Sequence, residues 1–260
     1  MSDSSLPSRQ RARITAVTSG KGGVGKTFVS ANLAAALAQR GERVLVLDAD
    51  LGLANLDVVL NLYPKITLHD VFTGKHRLED AIVPVAGGFS VLLAGSGMVE
   101  YSRLTPEVRD QLLETIERVR PMFDRVLLDT GAGISDVVLF TLSLANDILV
   151  VTTPEPTAMT DAYATIKVLA ALQARRELLL AVNQTLKPGE GRAIRNQLQL
   201  VIDRFVNPGL DAPVTLEFVG EVPADPAVRE AVQKRQLLLE VYPGTPAAKA
   251  VLALAARMAL

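Results

Sequence analysis

The stretch "TSGKGGVGKT", residues 18–27, closes the apolar run "RITAVTS" (13–19) and leads into a helical pattern at about 27–40. It satisfies G-x-x-x-x-G-K-[ST] at a strand-to-helix junction, the setting in which that spacing binds phosphate. Gly20, Gly22, Gly23 and Gly25 let backbone N–H groups converge on phosphate oxygens with no side chain in the way. The helix beginning near Lys26 adds the positive end of its dipole. Lys26 is placed to neutralise β/γ-phosphate charge, and the Thr27 hydroxyl to reach Mg2+. Lys21 is then one lysine more than the loop needs.

Outward from this loop, further apolar runs alternate with helical patterns. "RVLVLD" (43–48), "FSVLLAG" (89–95), "RVLLD" (125–129), "DILVVTT" (147–153) and "LLLAVN" (178–183) read as strands buried on both faces, and "VTLEFVG" (214–220) is a weaker one. Helices are expected at about 105–119, 157–173, 190–205, 225–236 and 245–258. The succession predicts an α/β, doubly wound fold with a mostly parallel sheet of about seven to eight strands flanked by helices. With no repeat, low-complexity tract or linker, residues 13–260 are expected to form a single domain behind a flexible polar tail, 1–12.

The 260 residues are 49% hydrophobic, with 27 basic against 28 acidic side chains, so bulk charge draws the chain to neither nucleic acid nor an anionic membrane. The absence of cysteine excludes disulfides, thiolate metal sites and cysteine-ligated clusters. "MSDSSLPSRQRAR" has no apolar signal core, and no run reaches the roughly 18 apolar residues of a membrane span. A cytoplasmic protein is the expectation.

Carboxylates supply the second layer of the site. "RVLLD" ends a buried strand in Asp129, at the sheet edge where a carboxylate holds Mg2+ through water. "LVLDADLGLANLD" ends another strand with Asp48 and Asp50, two residues apart and so on one side of an extended chain, facing one ligand. His69 and His76, the two histidines, have no ligand cluster around them and read as surface positions.

"KGGVGKT", "DADLGLANLD" and "DTGAGISD" together resemble the deviant Walker A P-loop ATPases of the MinD/ParA superfamily, over about residues 13–250. The resemblance implies ATP and Mg2+ as ligands and an ATP-bound homodimer in which Lys21 reaches the partner's phosphates. It also implies a loop from Gly20 through Val24 to Phe28 around the phosphates, and catalysis by Lys21, Lys26 and Asp50, the last positioning the attacking water. Thr27, Asp48 and Asp129 match the metal ligands and their outer shell. Asn183 matches an adenine-reading asparagine, and Val222, Pro223, Ala224 and Asp225 of "GEVPAD" (220–225) match the loop against the base. Phe28 stands where many relatives have a second hydroxyl residue, which removes one α-phosphate contact.

Within the superfamily, "TLHDVFTGKHRLEDAIVPVAGGFSVLLAGSG" (67–97), "PEPTAMTDAYATIKVL" (154–169) and "VPADPAVREAVQKRQLLLEVYPGTPAAKAV" (222–251) are similar to the FlhG/FleN branch. That likeness implies a slow, dimerisation-coupled ATP hydrolase that regulates flagellar number or placement through a protein partner, either a flagellar transcriptional activator or a placement GTPase. Residues 1–12 lack the DQAxxLR-like motif of relatives that activate that GTPase. Peripheral attachment to the inner membrane face or cell pole stays open. The stripe Ala247, Val251, Leu254 and Met258 is expected to pack in the core, since two cations and no aromatic residue make a poor interfacial helix. Alternatives are a ParA-type DNA or cargo partitioner and a MinD-type division-site ATPase. Direct DNA binding is disfavoured because "QARR" (173–176) and "GRAIR" (191–195) are the nearest approach to basic clusters.

Overall fold

The computed structural model describes residues 11–52, 55–95 and 103–259. Most of the expected tail, Leu53 and Ala54 of the "DLGLANLD" segment, and residues 96–102 and 260 lie outside them. Eight strands form one sheet in the order β3-β4-β2-β5-β1-β6-β7-β8. They are β1 (Arg13–Ser19), β2 (Val44–Ala49), β3 (Ile82–Pro84), β4 (Ser90–Leu92), β5 (Arg125–Ala132), β6 (Asp147–Thr152), β7 (Glu177–Thr185) and β8 (Thr215–Pro223). All pairings are parallel except β3 with β4. This is the doubly wound, mostly parallel α/β sheet that the sequence predicts.

Alternation along the central strands loads both faces. Leu45, Leu47, Val126 and Leu128 enter one core with helices α5 (Pro106–Val119), α6 (Asp136–Ser143), α7 (Pro156–Leu172) and α8 (Glu190–Phe205). Val44, Val46 and Leu127 enter the other, with α1 (Lys26–Ala38), α10 (Leu238–Val241) and α11 (Pro246–Met258). Because α11 and α10 cover α1, every residue from Phe28 to Leu37 is buried, which explains its Ala-rich, unpatterned sequence. The stripe Ala247, Val251, Leu254 and Met258 packs in this second core.

The sequence reading has no counterpart for β3 or the short helices α2 (Leu56–Val59), α3 (Leu68–Phe72), α4 (Leu78–Ala81) and α10. Segments of three to five residues are too short to display a period. Helix α9 (Pro226–Gln233) follows β8. Among the described residues, no helix is long and apolar enough to cross a membrane.

Candidate functional site

With β1 between β5 and β6, and β2 beside β5, the carboxyl ends of β1, β2 and β5 meet at a crevice where the winding direction changes. The phosphate loop crosses this crevice. Gly23 and Gly25 have φ of 80° and 92°, left-handed values that glycine adopts without strain. Gly25 is the N-cap of α1 and offers no side chain to its first-turn N–H groups, and no acidic residue lies in that turn. Those donors are therefore directed at an external anion.

A cavity of about 1000 Å3 opens over the loop. Gly22, Gly23, Gly25, Lys26, Thr27 and Phe28 form its floor, and Asp48, Asp50 and Asp129 stand on one side. Asn183, Pro223, Ala224 and Asp225 form the far wall, joined by Val228, Arg229 and Val232 of α9. Four expected nucleotide contacts stand outside the lining: Gly20, Lys21, Val24 and Val222. Val24 and Val222 are buried in the core beneath it. A Cβ on Gly20 would collide with the Asp161 backbone of α7, so this glycine serves close packing. The Lys21 ammonium donates to Glu155 Oε2 (2.8 Å) and Thr157 Oγ1 (2.9 Å) at the start of α7.

The carboxylates are held by specific donors. The Ser30 hydroxyl, one turn along α1 from Lys26, donates to Asp129 Oδ1 at 2.9 Å, and Thr27 also bonds Asp129. Burial pushes the Asp129 carboxyl up to about 6 against the opposing pull of Thr27, Ser30 and Lys26. Asp48, 1% exposed, accepts the backbone N–H of Asp50 (3.2 Å) and of Leu56 (3.3 Å), so it ties the residue after β2 to the first residue of α2. Burial, then the Asp129 charge, raise its pKa well above the usual carboxylate range. Burial lowers Lys26, and the charges of Asp129 and Asp50 oppose that shift. Asp50 stands beside Gly131, where a Cβ would meet its carboxylate at an ordinary contact distance of 3.4 Å.

This donor set fits a Mg2+–nucleotide. Oxygen ligands suit a hard cation, and the uncapped N–H groups beside Lys26 suit phosphate. Among the described residues no group of three or more His, Asp or Glu is arranged to hold a metal ion by itself. Mg2+ would therefore rest on phosphate oxygens, the Thr27 hydroxyl and waters, as this reluctantly dehydrated ion prefers.

At the far wall the assignments shift. Asp225 is the N-cap of α9, accepting from Ala227 N (3.0 Å), while its second oxygen accepts from Ala247 N of α11 (3.2 Å). Ser30, Arg229, Val232 and Gln184 also belong to the site or its support and escaped the sequence reading. Ser30 alone carried a signal, its spacing of four from Lys26 on one helix face. The arginines of "QARR" and "GRAIR" are largely engaged within the fold: Arg175 closes α6 at the Leu142 and Ala145 carbonyls, Arg176 pairs with Asp211, and Arg195 donates to Leu216 O.

The family model ParA, described as NUBPL iron-transfer P-loop NTPase, matches residues 10–259. The chain is 41% identical to the antiactivator FleN of Pseudomonas aeruginosa, over 97% of this chain and 88% of FleN. It is 34% identical to the flagellum site-determining protein YlxH of Helicobacter pylori, over 89% of this chain and 76% of YlxH. The structure of the septum site-determining protein MinD of Pyrococcus horikoshii with Mg-ADP superposes with a TM-score of 0.73 at 28% identity, covering 95% of this chain and 96% of that one.

Proposed function

The chain belongs to the ParA family of P-loop NTPases and is an ATPase using ATP and Mg2+, and from that footing we propose that it works as a dimerisation switch. ATP joins two copies across the mouth of the cavity, and hydrolysis parts them. One observation carries this reading: Lys21 sits on α7, outside the cavity that its neighbours Gly22 and Gly23 line. A lysine so placed is available to a partner's phosphates rather than its own, and a cation supplied in trans ties turnover to assembly. Val232 in the cavity wall and Ile134, next to the cavity-lining Ser135, are 42% and 45% exposed and give the joining face apolar area.

Within each copy the roles divide by position. The loop N–H groups and Lys26 hold the β- and γ-phosphates, and Thr27 offers its hydroxyl to the metal. Asp48 and Asp129 order the metal's outer shell, and Asp50 orients the attacking water. Bound Mg2+ neutralises charge on the phosphate oxygens. Because Asp48 ties the backbone at Asp50 and Leu56, a change at the metal site reaches both of those positions. The "GAGISD" turn (131–136) carries the same change into α6.

The output is a protein contact. FleN is named an antiactivator and YlxH a flagellum site-determining protein. By that likeness this chain regulates flagellar number or placement, binding a flagellar transcriptional activator, or a placement GTPase, differently in its two nucleotide states. Since α11 packs its apolar stripe inward, this reading assigns it no membrane role. Iron transfer is not carried over from the family description, because the chain has no cysteine to ligate iron. Sizing the protein with Mg-ADP and with Mg-ATP tests the switch: a dimer specific to ATP is expected, and one mass in both states overturns it.

A further inference from the structure

We infer that Arg195 and Gln199 of α8, with Arg257 of α11, guard the sheet edge at β8 against strand addition and so hold self-association to the nucleotide face. The guard stands on its hydrogen bonds, and its link to a limited assembly rests on the dimerisation-switch reading.

Among the described residues β8 pairs with β7 alone, which leaves the other side of its backbone at the edge of the sheet. The Thr215 N–H donates to Arg176 O at 2.7 Å and so faces β7, which turns the peptide groups of Val214 and Leu216 outward. The strand is nine residues long, and its first half, "VTLEFVG" (214–220), is rich in strand formers. The strand at the opposite edge, β3, has three residues and ends in Pro84, which has no N–H to offer. Only β8 is long enough to be a ready template for a strand of another chain.

Each of the four outward groups of Val214 and Leu216 already has a side-chain partner. The Val214 N–H donates to Asn207 Oδ1 at 2.8 Å, and Val214 O accepts from Gln199 Nε2 at 2.9 Å. The Leu216 N–H donates to Gln199 Oε1 at 2.8 Å, and Leu216 O accepts from Arg195 Nε at 2.8 Å. The Gln199 amide thus offers a donor and an acceptor side by side, as the peptide groups of a neighbouring strand would. Its Nε2 also donates to Asp203 Oδ1 at 2.9 Å, and the same oxygen accepts from Asn207 Nδ2 at 2.7 Å, so one carboxylate sets both amides. Arg195, Gln199 and Asp203 stand four residues apart and share the face of α8 that leans over the edge.

Further along, the register slips between Leu180 and Ala181, which leaves Val219 as an extra residue of β8. Arg257, from the opposite face of the sheet, donates to Val219 O at 3.0 Å. A bulge twists the edge away from a flat neighbour, and the arginines place charge where an incoming strand would lie. Two copies meeting at bare β8 edges would continue one sheet into the next. Added to the ATP-dependent face, that contact would give each copy two joining surfaces and an assembly with no natural end.

Sedimentation velocity of the full chain in Mg-ADP and in Mg-ATP tests the guard, with wild type beside Arg195→Ala/Gln199→Ala and Arg195→Ala/Gln199→Lys. Both double variants remove the same two side chains from the edge, but the lysine leaves a charge that resists strand addition. Circular dichroism and melting at low concentration check that each is folded, and Gln199→Ala alone carries the comparison if the first does not fold. The alanine variant should pair in Mg-ADP, where wild type stays single, and should grow beyond the dimer in Mg-ATP. The lysine variant should keep the wild-type masses. A folded alanine variant with wild-type masses in both nucleotides overturns the guard. Equal assembly by the lysine variant overturns it too, because lost stability rather than an open edge would then be the cause. A wild type of one mass in both nucleotides overturns the switch reading, and the Mg-ADP comparison still decides the guard.

Discussion

Lys21 Nζ lies 2.8 Å from Glu155 Oε2, tying the phosphate loop to the residue that precedes α7. The two side chains are 37% and 63% exposed, and an ion pair that open to water contributes at most about 1 kcal/mol. The contact is therefore a resting place that a partner's triphosphate can outcompete. Lys21→Ala should keep nucleotide affinity within about threefold and lose ATP-dependent dimerisation, whereas Lys26→Ala should lose affinity itself. Glu155→Ala should lower the dimerisation midpoint in ATP by up to about fivefold. Sedimentation velocity reads each outcome, and a Lys21→Ala protein that dimerises normally removes the trans role.

Asp50→Ala should accumulate as an ATP-bound dimer. The carboxylate stands beside Gly131 rather than in the phosphate loop, so its loss slows chemistry without emptying the site. Turnover should fall at least about a hundredfold, the usual scale of general acid–base contributions. Unimpaired single-turnover hydrolysis would move the water-positioning role elsewhere.

Asp129 gives a pH signature. Its folded pKa of about 6 exceeds the ordinary aspartate value, so the native state holds the extra proton. The stability this group contributes is present below about pH 4 and is lost as pH rises through about 6. A shift of roughly two units corresponds to about 3 kcal/mol. Without nucleotide, Asp129→Asn should be more stable than wild type at pH 7.5 and flatten this slope. It should also blunt the effect of Mg2+ on nucleotide affinity. Urea unfolding of both proteins from pH 4 to 8 checks the sign, and parallel profiles would refute it.

Ser30→Ala isolates positioning from folding. It removes one donor to a buried carboxylate and should cost about 1–2 kcal/mol of stability. Turnover should fall more than nucleotide affinity, because Thr27 and Lys26 remain. Ser30→Thr, which restores a hydroxyl, should recover turnover; equal losses of kcat and affinity in Ser30→Ala would mark the residue as purely structural.

In a flagellated host, Lys21→Ala should behave as a null and give extra flagella, while Asp50→Ala should hold the repressing state and give few or none. Filament counts by electron microscopy decide this. Unchanged counts for both variants would remove the flagellar assignment and leave the ATPase untouched.

Some of these relationships were legible in the chain and others were not, for a physical reason. The phosphate loop is made of backbone N–H groups a few residues apart, so glycine spacing and the following helix specify it locally. Apolar runs flanking Asp48 and Asp129 place both at the sheet edge in the same way, because a strand buried on both faces writes its burial directly as sequence. The resting partners of Lys21 lie 134 and 136 residues away, and the contact of Asn183 with the Val24 carbonyl spans 159. Asp225 matches a base-contact position by motif, yet α9 and α11 converge on it and claim both of its oxygens. The left-handed turn at Gln184 comes from the misfit between β7 and β8 in register, and β7 carries no glycine there to announce it. The sequence by itself determined the order of elements and the chemistry of the loop, which depend on near neighbours. Which side chains are engaged and which face the cavity was decided only when distant strands and helices came together, since a hydrogen bond depends on where both of its ends lie.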